Sequence, residues 1–455
     1  MLSSSSSNSS GRTGGGGSNR ETSWVHVGVV TALVLAFFVQ TAPGTTGPAP
    51  LPASTSSYGE RLLDPGTVIS PKNDNEKRSS VSTGKNDGDN DGKVFQTTIR
   101  FVGGDGRTTL TGRLYIPQSP PPSNHSKGGF PVIVMAHGLG LVQDSRPIED
   151  FRRAFVERGN DYAVFTFDYA TFGHSSGFPR HMVRPHQHVQ DIEAAITMLT
   201  STSSSSSQDD EDATIELLRT QIDISRVGLL GTSLAGGHQV VVAANAEQKL
   251  RQKLQQTTST PDTKETEEPA TIKAVVSLVP HLASGVESIL EAVIDPPRCL
   301  HTLQGILNFL HFVIKWTVWQ LLPFSSGPWY IPLAGPPGSC SMMQNAGDLE
   351  GYTRLQQPRT EEYSWQNAAD GWSAFHVLFY RPLNRIHELT QTPTLFIAAE
   401  NDTLCPSSHV ERVVSRSPSN VESIIINHKG HFDLYNGRLL EEIINATLDF
   451  YNRHL

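Results

Sequence analysis

The chain has 455 residues and carries 36 Lys and Arg against 45 Asp and Glu, a net charge of −9. No block of basic residues breaks that balance, which argues against nucleic acid as a partner. Cys299, Cys340 and Cys405 are too few for a disulfide framework and lack metal-ligand spacing; three free thiols is the simplest reading, and Cys299 with Cys340 is the pair that could bridge.

Residues 1–23 are rich in Ser and Gly, and residues 40–92 in Ser, Thr, Pro, Gly, Asn and Asp. Both stretches bury too little apolar surface to offset chain entropy, so both are expected to be disordered. Between them Trp24 to Val39 is apolar and follows Arg12 and Arg20. Slightly short for a comfortable membrane span and slightly long for a signal core, it reads as a signal peptide or as a single N-terminal membrane anchor. Either implies the secretory pathway, with a secreted or membrane-anchored product. The alternative is an organellar transit sequence, since the first 20 residues are Ser-rich and contain no acid. Sequons stand at Asn8, Asn124, Asn401 and Asn445.

The foldable part, residues 93–455, is long enough for one large α/β domain. Two strands are expected first, Val94 to Phe101 and Thr108 to Ile116. The buried strand Phe130 to Ala136 then ends in His137-Gly138-Leu139-Gly140. Helices follow over Ile148 to Arg158, Gln187 to Thr200, Ala235 to Lys249, His409 to Arg416 and Arg438 to Arg453. Strands alternate with them at Tyr162 to Phe167, Arg226 to Leu230, Ile272 to Val279, Pro393 to Ala399 and Val421 to Ile426. Such alternation predicts a mostly parallel, doubly wound sheet covered on both faces. Low-complexity loops at 201–212 and 255–270 fall where helices return to strands, away from the strand ends that carry ligands. A cap is expected over about 281–386. Its apolar helix, His301 to Leu322, is interrupted by Gln304, Asn308, His311, Lys315 and Gln320, which fits a cap lining an acyl pocket with Trp316 and Trp319 better than a membrane span.

Leu229-Leu230-Gly231-Thr232-Ser233-Leu234-Ala235-Gly236-Gly237 leads from an apolar strand into small residues around one serine, the pattern of a nucleophile elbow. Ser233 is therefore the candidate nucleophile, and the backbone N–H groups of Leu139 and Leu234 are the candidate oxyanion hole. Asp402 follows a strand and is the candidate acid, ahead of Glu400 and Asp433. His431 in Gly430-His431-Phe432-Asp433 is the candidate base, ahead of His428. The order Ser, Asp, His suits this kind of site. His174, His181, His186 and His188 cluster in the sequence, but no carboxylate or cysteine completes a ligand set, so they read as loop and helix-start residues. No metal and no cofactor is expected. Glu361-Glu362 reads as a solvated pair, though a peptidase could use it to hold a substrate amine.

From Val94 to Leu455 the chain resembles α/β hydrolases of the dienelactone-hydrolase-like and Xaa-Pro dipeptidyl-peptidase-like branch, which includes serine aminopeptidase-like and fungal polyketide-transferase-like proteins. The resemblance rests on His137-Gly138-Leu139-Gly140, Phe167-Asp168-Tyr169, Phe172-Gly173-His174-Ser175-Ser176-Gly177 and Gly231 to His238. Leu333 to Gly338, Phe379-Tyr380-Arg381-Pro382 and Gly430 to Asp433 add to it. Ala170, where Arg is frequent, and Ala235, where Gly or Ser is usual, depart from the pattern. The resemblance implies an α/β-hydrolase fold with a helical cap between the sixth and seventh core strands. It also implies a serine hydrolase acting on a small-molecule acyl substrate, an ester or thioester, through an acyl-enzyme. A peptidase or acyltransferase of the same fold is the alternative, and a non-catalytic binding protein a third reading.

Overall fold

The computed structural model describes residues 94–119, 121, 129–158, 161–200, 220–257, 272–283, 330–337, 339, 341–356, 365–415 and 420–455. Eight strands form one sheet. In chain order they are β1 (Val94–Val102), β2 (Thr109–Pro117), β3 (Phe130–Ala136), β4 (Ala163–Asp168), β5 (Ile222–Thr232), β6 (Ile272–Leu278), β9 (Thr394–Ala399) and β10 (Val421–Ile426). A separate ribbon pairs β7 (Tyr330–Ile331) with β8 (Ala369–Asp370). In space the large sheet runs β1-β2-β4-β3-β5-β6-β9-β10. β2 is antiparallel to β1 and to β4, and every other pairing is parallel.

Parallel strands covered on both faces must be apolar throughout. β3, β4 and β9 obey this, with every residue buried. One face packs against α2 (Pro185–Thr200), α3 (Leu234–Thr257) and α6 (Ser407–Val414). The other carries α1 (Arg146–Arg153) and α7 (Gly437–His454). The chain leaves β3 for β4 on one side and returns to β5 on the other, so the ends of β3 and β5 open the crevice where ligands bind in such sheets. His137 and Ser233 stand at those two ends.

Some boundaries differ from expectation for local reasons. The helix expected over Ile148 to Arg158 starts at Arg146, with Pro147 in its first turn, and its last five residues open into a π-helical turn. β5 begins at Ile222 because Ile222 and Asp223 pair with Phe130 and Pro131 beyond a register shift. α3 runs to Thr257, past the expected loop boundary at 255, since Lys, Arg, Gln and Leu are good helix formers. Between the sixth and seventh strands of the large sheet stand the ribbon, α4 (Asp348–Arg354) and α5 (Trp372–Leu378). The segments 1–23, 24–39, 40–92 and 201–212, the remainder of 255–270, the helix His301 to Leu322 with Trp316 and Trp319, Cys299, Cys340 and Glu361-Glu362 lie outside the described residues. Among those described, no helix is long and apolar enough to cross a membrane.

Candidate active site

The turn between β5 and α3 holds Ser233 at φ 55°, a left-handed conformation that costs energy for any residue with a side chain. Neighbouring backbone offsets that cost. The Ser233 N–H donates to Leu278 O at 2.8 Å, and its carbonyl accepts from His281 N and Gly236 N, each at 3.0 Å. The end of β6 thus clamps the elbow. Only glycine fits two residues before the serine, because a β-carbon on Gly231 would collide with the backbone of Ala235.

Across the strand ends, His431 begins the short 3-10 turn His431–Tyr435 after β10, and Asp402 lies in the turn after β9. His431 Nδ1 and Asp402 Oδ2 are 2.7 Å apart, with side chains 6% and 0% exposed. A carboxylate can only accept, so Nδ1 carries a proton and Nε2 is left to act as a base. The other Asp402 oxygen accepts from Leu404 N at 2.8 Å and Cys405 N at 2.7 Å, which orients the carboxylate. The rival residues lie elsewhere. His428 is 89% exposed and faces Glu400 at 3.3 Å, while Asp433 accepts from Gly430 N at 2.9 Å.

The loop after β3 crosses the elbow so closely that a β-carbon on Gly138 would stand 3.2 Å from that of Ser233. Three successive carbonyls of this loop are each held by a side chain. His137 Nδ1 lies 3.2 Å from Gly138 O, Tyr352 Oη donates to Leu139 O at 2.7 Å, and Trp365 Nε1 donates to Gly140 O at 2.9 Å. The Gly138 carbonyl belongs to the same rigid peptide unit as the Leu139 N–H, so holding one aims the other. The Tyr352 ring centroid is 5.3 Å from that of Trp365 and 6.5 Å from that of Phe432, the residue after His431. One tyrosine therefore braces both the loop after β3 and the histidine turn. Sequence reasoning misses Tyr352 and Trp365, because each is more than 200 residues from the loop it holds and no local pattern marks it.

The chemistry around the serine is mostly neutral. Burial pushes the His281 imidazole down to about 4, helped by His409 and His431 and opposed by Asp402. The buried Cys405 touches Ser233, and burial raises its thiol well above its ordinary range, with Asp402 adding to the effect and Ser233 opposing it. Ligand atoms of Asp402, Cys405 and His431 come within 4.8 Å of one another, so this group is the candidate metal set among the described residues. The protonated thiol is a poor ligand, however, and Asp402 and His431 already engage each other.

No protein-family model matches the chain. The quorum-quenching protein AidA of Acinetobacter baumannii is 27% identical over 325 residues, which cover 71% of this chain and 86% of that protein. Thiohydrolase aneE of Aspergillus aculeatus is 22% identical over 80% of this chain and 94% of its own length, and a polyketide transferase of Gibberella fujikuroi 24% over 78% and 97%. Among solved structures, the alpha/beta hydrolase GrgF from Penicillium sp. sh18 superposes with a TM-score of 0.54 at 20% identity, covering 79% of this chain and 98% of that one. The hypothetical protein PA2218 from Pseudomonas aeruginosa gives 0.55 at 19%, over 80% and 95%. At such identities the likeness to solved structures concerns the fold.

Proposed function

We propose that this chain, whose fold is that of the alpha/beta hydrolase GrgF, cleaves carboxylic esters or thioesters through an acyl-enzyme on Ser233. The observation that carries this reading is the buried 2.7 Å pairing of Asp402 with His431, set across the strand ends from a serine on a strained elbow. In this mechanism His431 Nε2 takes the Ser233 proton as Oγ attacks the acyl carbonyl, and Asp402 stabilises the resulting imidazolium. The developing oxyanion is received by the N–H groups of Leu139 and Leu234. Collapse of the tetrahedral intermediate breaks the bond to the leaving alcohol or thiol, which departs with the proton from His431. Water then repeats the sequence and releases the acid. Tyr352 and Trp365 act as positioning residues by holding the loop that carries Leu139.

The names of the relatives, a thiohydrolase and a polyketide transferase, support acyl chemistry of this kind and keep an acceptor other than water as the second reading. Labelling by a fluorophosphonate, together with hydrolysis of p-nitrophenyl esters and acyl thioesters, tests the proposal against the Ser233→Ala variant. An unlabelled wild type, or equal labelling of the variant, refutes it. Partition of the acyl group between water and an added alcohol or amine separates hydrolase from transferase. The apolar run Trp24 to Val39 supports a secretory route, as signal peptide or anchor, and a reporter fused to the chain with and without residues 1–92 tests that address.

A further inference from the structure

Within the insertion between β6 and β9, residues 345–356 meet the turns of the candidate acid, base and oxyanion donor one after another. At the start, Asn345 Nδ2 donates to the hydroxyl of Thr403 at 3.0 Å, and Thr403 follows Asp402 directly. The Asp348 carboxylate accepts from Asn345 N at 2.8 Å and closes the turn that leads into α4. In mid-helix Gly351 lies against Phe432, the residue after His431, whose ring centroid is 5.0 Å from that of the Phe432 ring. At the next position Tyr352 Oη donates to Leu139 O at 2.7 Å. Past the helix, Leu355 O accepts from Arg146 N at 2.8 Å, where the loop after β3 ends and α1 begins.

Gly351 shows that these contacts are more than incidental packing. Glycine inside a helix is destabilising relative to alanine, because it surrenders more chain entropy and packs no side chain. Here the missing β-carbon lets α4 lie directly on the base turn. Built at Gly351, that carbon would stand 2.4 Å from Phe432 Cγ and 2.6 Å from Phe432 Cβ. Both atoms sit at the root of the side chain and cannot swing aside while the backbone stays in place. A methyl group at this position must therefore push α4 and the His431 turn apart. Tyr352 rides on the same helix, so the displacement reaches Leu139 as well.

Resting on the acyl-enzyme reading above, we propose that residues 345–356 form a positioning strap that fixes the base turn and the oxyanion loop at their working separation. Asn345 and Gly351 join Tyr352 as positioning residues, acting through His431 and Leu139. The test measures kcat and KM for p-nitrophenyl butyrate, and the fluorophosphonate labelling rate, on the full chain. Gly351→Ala should lower kcat and the labelling rate by about tenfold with KM within about twofold, because the base and the oxyanion donor are misplaced while the ground-state contacts remain. Glu350→Ala, on the exposed side of the same helix, should leave all three within about twofold. Alanine is the better helix former, so a Gly351→Ala chain that keeps its urea midpoint and loses kcat locates the loss in the approach to Phe432. An unchanged kcat in Gly351→Ala, or an equal loss in Glu350→Ala, overturns the strap.

If Gly351→Ala does not fold, Asn345→Ala decides, since Asn345 is exposed and its bond lies at the surface. Asp402 keeps its own donors, Leu404 N and Cys405 N, so the effect has to pass along the strap. Labelling should slow by about threefold when Tyr352 is intact, and by less than about 1.5-fold in a Tyr352→Phe background, where the hold on Leu139 is already lost. The same factor in both backgrounds, or no effect in either, overturns the proposal. A wild type that fluorophosphonate fails to label on Ser233 refutes the acyl-enzyme reading itself, and the strap falls with it.

Discussion

Buried histidines stand in two different settings in this protein, and the settings differ in one respect. His431 has a carboxylate 2.7 Å from its Nδ1, whereas His137, His188 and His238 have burial without one. Burial by itself removes the charge from an imidazole and leaves a neutral hydrogen-bonding ring. A carboxylate fixes the tautomer and prepares the ring to accept a proton during the reaction. Burial alone thus leaves His137, His188 and His238 uncharged, whereas burial beside Asp402 gives the candidate base a fixed tautomer.

The largest expected effects fall on the paired side. Ser233→Ala and His431→Ala should each lower kcat by about a million-fold while leaving the urea unfolding midpoint near wild type, since members of one catalytic unit are not additive. Asp402→Asn removes the carboxylate but keeps the shape, and should cost about ten-thousand-fold in kcat. Retention of a tenth of the activity by any of the three would mean that the pairing with Asp402 is not what distinguishes His431.

A smaller effect is expected where the unpaired side meets the loop. Tyr352→Phe deletes only the hydroxyl that holds Leu139 O, and a kcat lower by about tenfold with KM within about twofold is the outcome if the loop supplies an oxyanion donor. The fluorophosphonate labelling rate should fall by the same factor. A rise in KM with kcat unchanged would instead mark Tyr352 as a ground-state contact.

Stability against acid sharpens the contrast from the unpaired side. Burial lowers six histidines: His137, His281 and His376 to about 4, His181 to about 3, and His188 and His238 well below 6.5. In the unfolded chain they titrate near 6.5, so between that value and about 4 the unfolded state binds more protons and stability rises with pH. The contribution is complete above pH about 6.5 and is lost as pH falls. Asp191 and Asp370, raised by burial to about 6, act in the opposite sense, as do Asp150 and Asp348, also raised by burial, so four carboxyls oppose six histidines. Urea midpoints measured at pH 7.5 and 5.0 should therefore drop on acidification; a flat or rising profile would contradict the neutral burial of these histidines. The smallest effect belongs to His428, exposed and paired only with Glu400, and His428→Ala should leave kcat/KM within about twofold.

The features legible in the amino-acid order are local ones. The elbow is legible because the constraint acts within five residues: a β-carbon at Gly231 collides with the backbone of Ala235, so small residues on both sides of Ser233 leave a readable mark. The strands are legible because two-sided burial demands an unbroken apolar run, as in β3 and β9. The order Ser233, Asp402, His431 could be read because each residue follows a strand. Tertiary structure decided the rest. His428 and His431 are three residues apart in one polar stretch, and only the packing of the turn against β9 sends one to Glu400 and the other to Asp402. Tyr352 and Trp365 reach the loop after β3 across 213 and 225 residues. His188 reads as an ordinary residue near a helix start, yet α2 and α3 lie on the same face of the sheet, and that arrangement stacks it on Tyr169 and turns it toward His238. Local sterics and periodicity write themselves into neighbouring residues, whereas contacts made through strand order join segments whose sequences hold no trace of each other.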